Sequence, residues 1–238
     1  LKVLRENMRA NGIHAYIIPS ADPHLDEYVP EHYKARAWIS GFTGSAGTVV
    51  VTFDKAVLWT DGRYYIQASR QIRDSEFELY KMEKGIPDYI EFIEQNLSRG
   101  QGVGFDGRVL PCADVLKMKR RFEEQGIFMK SGIDLVSRIW TEDRPVVPKD
   151  KAFLHDAAFA GLSVKEKLAQ VLAQMEKNKS GSLHRFRPGF HRLVSEPAGE
   201  RRILCPCYSF LSSDIKRFRD LVCGWEQADR RGKELFEG

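Results

Sequence analysis

Residues 38–65, Trp38 to Tyr65, read WISGFTGSAGTVVVTFDKAVLWTDGRYY, and the fold turns on how they are read. Gly41, Gly44 and Gly47 punctuate the start of the stretch. A β-branched run from Thr48 to Phe53 follows, then a short turn at Asp54-Lys55 and a second apolar run from Ala56 to Thr60. Two short, apolar, β-prone runs separated by turn residues predict a hairpin of two largely buried strands. The stretch closes on a polar corner, Thr60-Asp61-Gly62-Arg63, placed where a strand hands over to a helix.

Three glycines close together invite a phosphate-binding reading. That reading needs a strand before the loop and a helix after it, so that the helix N-terminus faces the anion. Here a β run follows, so the stronger reading assigns the glycines to turns that need positive φ or close backbone approach. Gly41, Gly44, Gly47, Trp59 and Gly62 are therefore expected to be structural.

Upstream, Leu1, Leu4 and Met8 recur at helical spacing and Gly12 stops that helix. Ala15 to Ile18 reads as a strand ended by Pro19, and Ser20-Ala21-Asp22-Pro23-His24 is turn chemistry. A loop with Tyr28, Pro30 and His32 leads to the central stretch. Downstream, Tyr64 to Ile72 predicts a helix with Tyr65, Ile66 and Ser69 on one side, and Phe77 to Met82 a strand. Pro87 opens a helix through Leu97, with Tyr89, Ile90 and Ile93 spaced to face a core. Val103 to Phe105 is a short strand, Pro111 opens a long helix through Gln125 stopped by Gly126, and Ile127 to Met129 makes another strand. Asp134 caps a last short helix to Trp140. This rhythm predicts an α/β fold, a mixed β-sheet flanked by helices, over residues 1–140.

Thr141 to Asp150, with Pro145 and Pro148 among charges, has the composition of an exposed linker. After it, residues 151–180 read as the start of a second domain. Leu162 to Lys177 is an amphipathic helix with Leu168, Val171, Leu172 and Met175 on one face, and Ser163 with Glu166 makes a capping box.

The 238 residues carry a net charge of +4 with both signs mixed, which is no nucleic-acid footprint. No apolar run approaches the roughly 20 residues of a membrane span, and the amphipathic start is no signal-peptide core, so a soluble cytoplasmic protein is expected. Cys112 stands alone in the first 200 residues, which is no disulfide framework.

The runs AYIIPSADPHLDEY, ARAWISGFTGSAGTVVVT, LWTDGRYYIQASRQ and LVSRIWTEDRP, in that order, resemble the N-terminal domain of the three-domain, cytosolic-type Xaa-Pro aminopeptidases (aminopeptidase P) of the creatinase and prolidase superfamily. The likeness covers about residues 1–178. It implies a creatinase/prolidase N-terminal fold followed by a second, similar domain that is incomplete here. Family members hydrolyse the bond before a proline in the second position of a peptide, using two metal ions, usually manganese, in a C-terminal domain. The resemblance therefore implies that this chain ends before the metal ligands and is inactive alone. It also implies the missing catalytic domain and a second subunit of a homodimer as partners. No cofactor is expected in this chain.

One local cluster holds metal-ligand residue types: His24, Asp22, Asp26, Glu27 and His32. A metal site needs three or four converging ligands with outer support, so turn residues, or an edge of the intact enzyme's cleft, is the stronger reading for Asp22 and His24. Asp61 and Arg63 are read as a functional pair or, more strongly, as an ion pair fixing the strand-to-helix corner.

From Gly181 the chain turns arginine-rich and loses its apolar period, where the family continues into a segment close to SALDDIAWLFNLRG. A frameshift near Lys177 to Gly181 is the working explanation: one synonymous codon set for Gly181 to Arg201, read in the next frame, gives AAFIASALDFTGWLVNLRGN. On that reading residues 181–238 were never selected to fold. The rival reading makes Cys205, Cys207, Cys223 and His191 zinc ligands, or the arginines a basic arm; Cys-x-Cys lacks the usual knuckle spacing and the basic residues lack interleaved aromatics. For the chain as a whole, the alternative to an aminopeptidase fragment is a standalone binding module with the same fold.

Overall fold

The computed structural model describes residues 1–25, 27–149 and 157–178. The chain divides into two compact units, Leu1–Lys149 and Asp150–Gly238.

The first unit is a six-stranded sheet between two layers of helices. Helix α1 (Lys2–Ala10) leads into β1 (Ala15–Pro19); a 3-10 turn (Glu31–Tyr33) and helix α2 (Ala35–Ser40) precede β2 (Thr48–Thr52) and β3 (Ala56–Thr60). Then come α3 (Tyr65–Gln71), β4 (Phe77–Lys81), α4 (Tyr89–Asn96), β5 (Gly102–Phe105), α5 (Cys112–Gln125), β6 (Phe128–Lys130) and α6 (Leu135–Ile139). The strand order is β4-β3-β2-β1-β5-β6. β2 runs antiparallel to both β1 and β3, while β1 with β5, β5 with β6, and β3 with β4 are parallel. Five strands therefore point their carboxyl ends to the same edge, and β2 alone begins there.

Alternation across the pleat sorts the core. Tyr16, Ile18, Val49, Val51 and Leu58 face one way, against Leu4 and Met8 of α1, Ala68 of α3 and Leu135 of α6. Ala15, Ile17, Val50, Val57, Val103 and Phe105 face the other, against Ile90, Phe92 and Ile93 of α4 and Met118 and Phe122 of α5. The Thr48-to-Thr60 hairpin pairs as expected, Thr48 with Trp59 through Val51 with Ala56. Its turn falls at Phe53-Asp54 instead of Asp54-Lys55: the Thr52 N–H reaches the Lys55 carbonyl at 2.8 Å. Phe53 leaves the ladder because its ring packs on His14, 5.4 Å between centroids, with Arg9 4.8 Å above it.

Other differences have local causes. α2 was not expected and takes in Trp38, Ile39 and Ser40 from the start of the central stretch; its N-cap Lys34 makes no side-chain cap bond, so no sequence signal marks its start. α4 starts after Asp88 instead of at Pro87, because Asp88 and Glu91 form a capping box, Asp88 Oδ1 accepting from the Ile90 and Glu91 N–H groups at 2.8 Å. The last strand shifts by one residue to Phe128–Lys130, since the Ile127 N–H is spent on the Phe122 carbonyl of α5. On α3 the Tyr65-Ile66-Ser69 side is the outward one, and Ala68 is the residue buried against the sheet.

The first half of Thr141–Asp150 is fastened to this unit through Arg144 and Pro145, as detailed below. In the second unit, α7 (Ala157–Ala160) precedes α8 (Val164–Lys177). The Ser163–Glu166 capping box forms at the start of α8, and Leu168 and Met175 are its buried residues. The readings placed on residues 181–238, including Cys205, Cys207, Cys223, His191 and the frameshift, lie outside the described residues.

Candidate functional site

Because five strands end together, their following loops share one edge of the sheet. That edge gathers Ser20–His24 after β1, Asp61–Arg63 after β3, Asp106–Arg108 after β5 and Ser131–Asp134 after β6, beside the glycine loop that enters β2.

Asp22 is 2% exposed and His24 sits beside it. The His24 N–H donates to Asp22 Oδ1 at 3.1 Å and the Leu25 N–H to the Asp22 carbonyl at 2.9 Å, so the carboxylate organises a tight turn that puts Leu25 at φ 54°. His24 Nδ1 lies 3.5 Å from Asp22 Oδ2, beyond hydrogen-bond reach, and is buried with no hydrogen-bond partner among the described residues. His32 points elsewhere, its Nδ1 2.7 Å from the Pro145 carbonyl. Asp26 lies outside the described residues. Among the described residues no three His, Cys, Asp or Glu side chains converge as metal ligands, so the chain's described part supplies no donor set for a metal.

The glycine loop is organised by a residue the sequence did not advertise. Arg36 on α2 is 5% exposed and donates to the Phe42 carbonyl at 2.6 Å, to the Gly44 carbonyl, and to Ser20 Oγ at 2.8 Å. Burial pushes its pKa down to about 10, so it is still charged at neutral pH. Gly41 caps α2 in the left-handed region at φ 73°, and a Cβ on Gly47 would stand 2.8 Å from the Trp59 carbonyl, where the loop crosses β3. A Cβ on Gly44 would strike the rings of Phe42 and Tyr64. On Gly62 it would meet only ordinary contact with Tyr65. Trp59 is buried and donates its Nε1–H to the Pro87 carbonyl at 2.9 Å.

From this loop a ladder of rings and cations leads to the Asp61 corner. Arg36 lies 4.7 Å above Phe42, Phe42 packs edge-on to Tyr64 at 5.8 Å, and Arg63 lies 5.2 Å above Tyr64. The Tyr64 hydroxyl shares a 2.7 Å hydrogen bond with Ser45 Oγ, which holds the phenol below its ordinary pKa. Asp61 chelates Arg63: Oδ1 accepts from the backbone N–H at 3.0 Å and from Nε at 2.9 Å, and Oδ2 from Nη2 at 2.8 Å. These bonds lower the Asp61 pKa and raise that of Arg63.

The same tripeptide recurs at Asp106-Gly107-Arg108, with the same chelate. Here Arg108 Nη2 also reaches Asp134 Oδ2 at 2.7 Å, and Asp134 caps α6 by accepting from the Ser137 N–H at 2.8 Å. Below it, the Tyr16 hydroxyl donates to the Ile133 carbonyl at 2.7 Å and accepts from the Leu135 N–H at 2.9 Å. Burial raises the Tyr16 pKa. A cavity of about 30 Å³ lies over Tyr16, between Asp106, Asp134, Tyr33 and Arg144. The repeat of Asp-Gly-Arg was visible in the sequence; the partnership with Asp134 was not. The edge thus gathers one buried carboxylate, Asp22, two chelated arginines and an imidazole nitrogen with no hydrogen-bond partner among the described residues.

The creatinase/prolidase N-terminal domain model matches residues 1–133. The chain belongs to this family. Aminopeptidase P2 of Arabidopsis thaliana is 42% identical over 166 residues, covering 69% of this chain and 23% of its own length. Human Xaa-Pro aminopeptidase 2 is 38% identical over 180 residues, 75% of this chain and 26% of its own length. Among solved structures, X-prolyl aminopeptidase from Caenorhabditis elegans, described as a cytosolic enzyme with a di-nuclear active site, superposes with TM-score 0.62 at 30% identity, over 71% of this chain and 28% of that one. The chain spans about a quarter of the length of these relatives, and its sheet is the creatinase-type mixed α/β sheet. No helix among the described residues is long and apolar enough to cross a membrane.

Proposed function

We propose that this chain is the non-catalytic N-terminal portion of a cytoplasmic Xaa-Pro aminopeptidase. Its sheet domain, residues 1–140, is followed by a linker at 141–150 and the start of a second, similar domain at 151–180. In the intact enzyme the domain serves assembly, against the catalytic domain and a second subunit, and its loop edge walls the cleft that receives peptides with proline in position two. Asp22, His24, Asp61 and Arg63 are the cleft-facing candidates, because they stand together on the edge where five strands end. The metal ions of the family reaction, two manganese ions in our reading, belong to the part of the relatives that this chain does not span.

The observation that carries this reading is the match of residues 1–133 to the N-terminal domain, in a chain whose matched part covers only 23–26% of its relatives' length. The test is an assay of the purified chain with a proline-second peptide and manganese. No turnover is expected, and appreciable turnover would overturn the non-catalytic assignment. In a relative carrying the whole length, alanine at the positions of Asp61 and Arg63 is expected to raise KM for the peptide, whereas unchanged kinetics would remove the corner from the cleft.

A further inference from the structure

In an open sheet with mostly parallel strands, ligands settle outside the carboxyl ends of strands at the point where successive connections run to opposite sides. Here that point lies between β1, whose chain continues to β2 on one side, and β5, which pairs on the other. The crevice expected there is small. Its remaining volume, about 30 Å³, holds a water molecule or two at most.

We propose that residues Trp140–Pro145 form a strap that shuts this crevice, with Arg144 as its latch. The Trp140 ring stacks on Trp38 of α2, 5.3 Å between centroids and 13° from parallel. The Arg144 guanidinium lies 5.1 Å over the Trp140 ring, and its Nε and Nη2 both donate to the His32 carbonyl, at 3.2 and 3.1 Å. Nη1 donates to Ser137 Oγ. The exchange is reciprocal: His32 Nδ1 lies 2.7 Å from the Pro145 carbonyl, which only accepts, so that nitrogen carries the proton. Asp143 makes the sharp return possible by adopting φ 54°, a conformation Asp tolerates better than most residues.

The latch lines the crevice together with Asp106 and Asp134, whose carboxylates are already held by Arg108, and it fills space that a ligand would otherwise enter. The domain thus keeps its switch-point crevice for its own chain, and residues Trp140–Pro145 belong to the sheet domain instead of to a free linker.

The test uses the full chain and two readouts. Stacked Trp38 and Trp140 give an exciton couplet in the ultraviolet circular dichroism, which Trp38→Phe abolishes. Arg144→Ala is expected to lose the couplet and to speed glutamate-specific protease cleavage after Glu142 by roughly tenfold or more, tenfold being the factor for losing one hydrogen bond to a charged group. Ethylguanidinium added to Arg144→Ala is expected to restore both, and Arg144→Lys, which cannot chelate the His32 carbonyl, is not. Because Arg144→Ala can also lower global stability, cleavage after Glu142 is compared with cleavage at other glutamates. A selective rise supports the strap. An equal rise everywhere, an unchanged couplet in Arg144→Ala, or a couplet that survives Trp38→Phe overturns it.

Discussion

The tripeptide Asp-Gly-Arg occurs twice, at the carboxyl ends of β3 and β5, and its internal hydrogen bonds match within the pair, 3.0, 2.9 and 2.8 Å in both copies. The surroundings differ. Arg63 is open to solvent on its outer side and has Asp61 as its chelating carboxylate, whereas Arg108 is gripped by Asp106 and by Asp134 from across the sheet edge. The same local sequence therefore builds the same local turn, and tertiary context turns one copy into an exposed corner and the other into a brace that ties β5 to α6. An exposed ion pair contributes little to stability, so the first copy is the one available for contact with other molecules, and the second is committed to the fold.

The largest expected effect comes from Arg36, which supports the ring ladder under the first corner. Arg36→Ala strips the donor from two buried loop carbonyls and Ser20 Oγ, and should cost about 2–4 kcal/mol in urea unfolding. A loss well under that would separate the corner from its loop. Next is Tyr16, beneath the second corner. Tyr16→Phe leaves the Ile133 carbonyl and Leu135 N–H without a partner and should cost about 1–3 kcal/mol.

Tyr16 also sets an alkaline limit. Its folded pKa is raised, so the contribution of the neutral phenol is intact below the unfolded value of about 10 and is lost as pH rises above it. Urea midpoints measured from pH 8 to 11 should fall at the high end for the wild type and fall less for Tyr16→Phe.

The direct contrast between the copies is smaller. Arg108→Ala should lower stability by about 1 kcal/mol, because two half-buried carboxylates lose their shared partner, while Arg63→Ala should move the urea midpoint much less. Equal effects would erase the distinction. Smallest of all is the acid titration of Asp61. Its midpoint by NMR should lie below the ordinary carboxylate value and return to it in Arg63→Ala. The stability this pair adds is present above the unfolded carboxylate pKa and fades as pH falls through the lower folded value.

Much of the fold was written in local pattern. The Thr48-to-Thr60 hairpin, the Asp134 cap and the Ser163–Glu166 box each rest on residues a few positions apart; the cap and the box formed where the sequence placed them, and the hairpin did so but for a one-residue shift of its turn. α2 escaped because it has no cap signal and is held by Arg36, whose acceptors lie on the next loop and on the turn after β1. The edge was half legible for a related reason. Asp22 and the Asp61 corner announce themselves by turn chemistry, but Arg108 meets a carboxylate 26 residues away, a distance that only the sheet closes.

The placement of β2 also sets an order of assembly. β1, β2 and β3 form a meander that needs only neighbouring chain, so these three strands can pair as soon as Thr60 is available. β1's other side stays an unpaired edge until β5 is available for parallel pairing, long after the hairpin is complete. Through that interval Ala15–Ile17 presents bare hydrogen-bonding groups to any extended segment nearby. A nascent chain of this protein therefore passes through a vulnerable stage whose end is marked by the arrival of Gly102–Phe105.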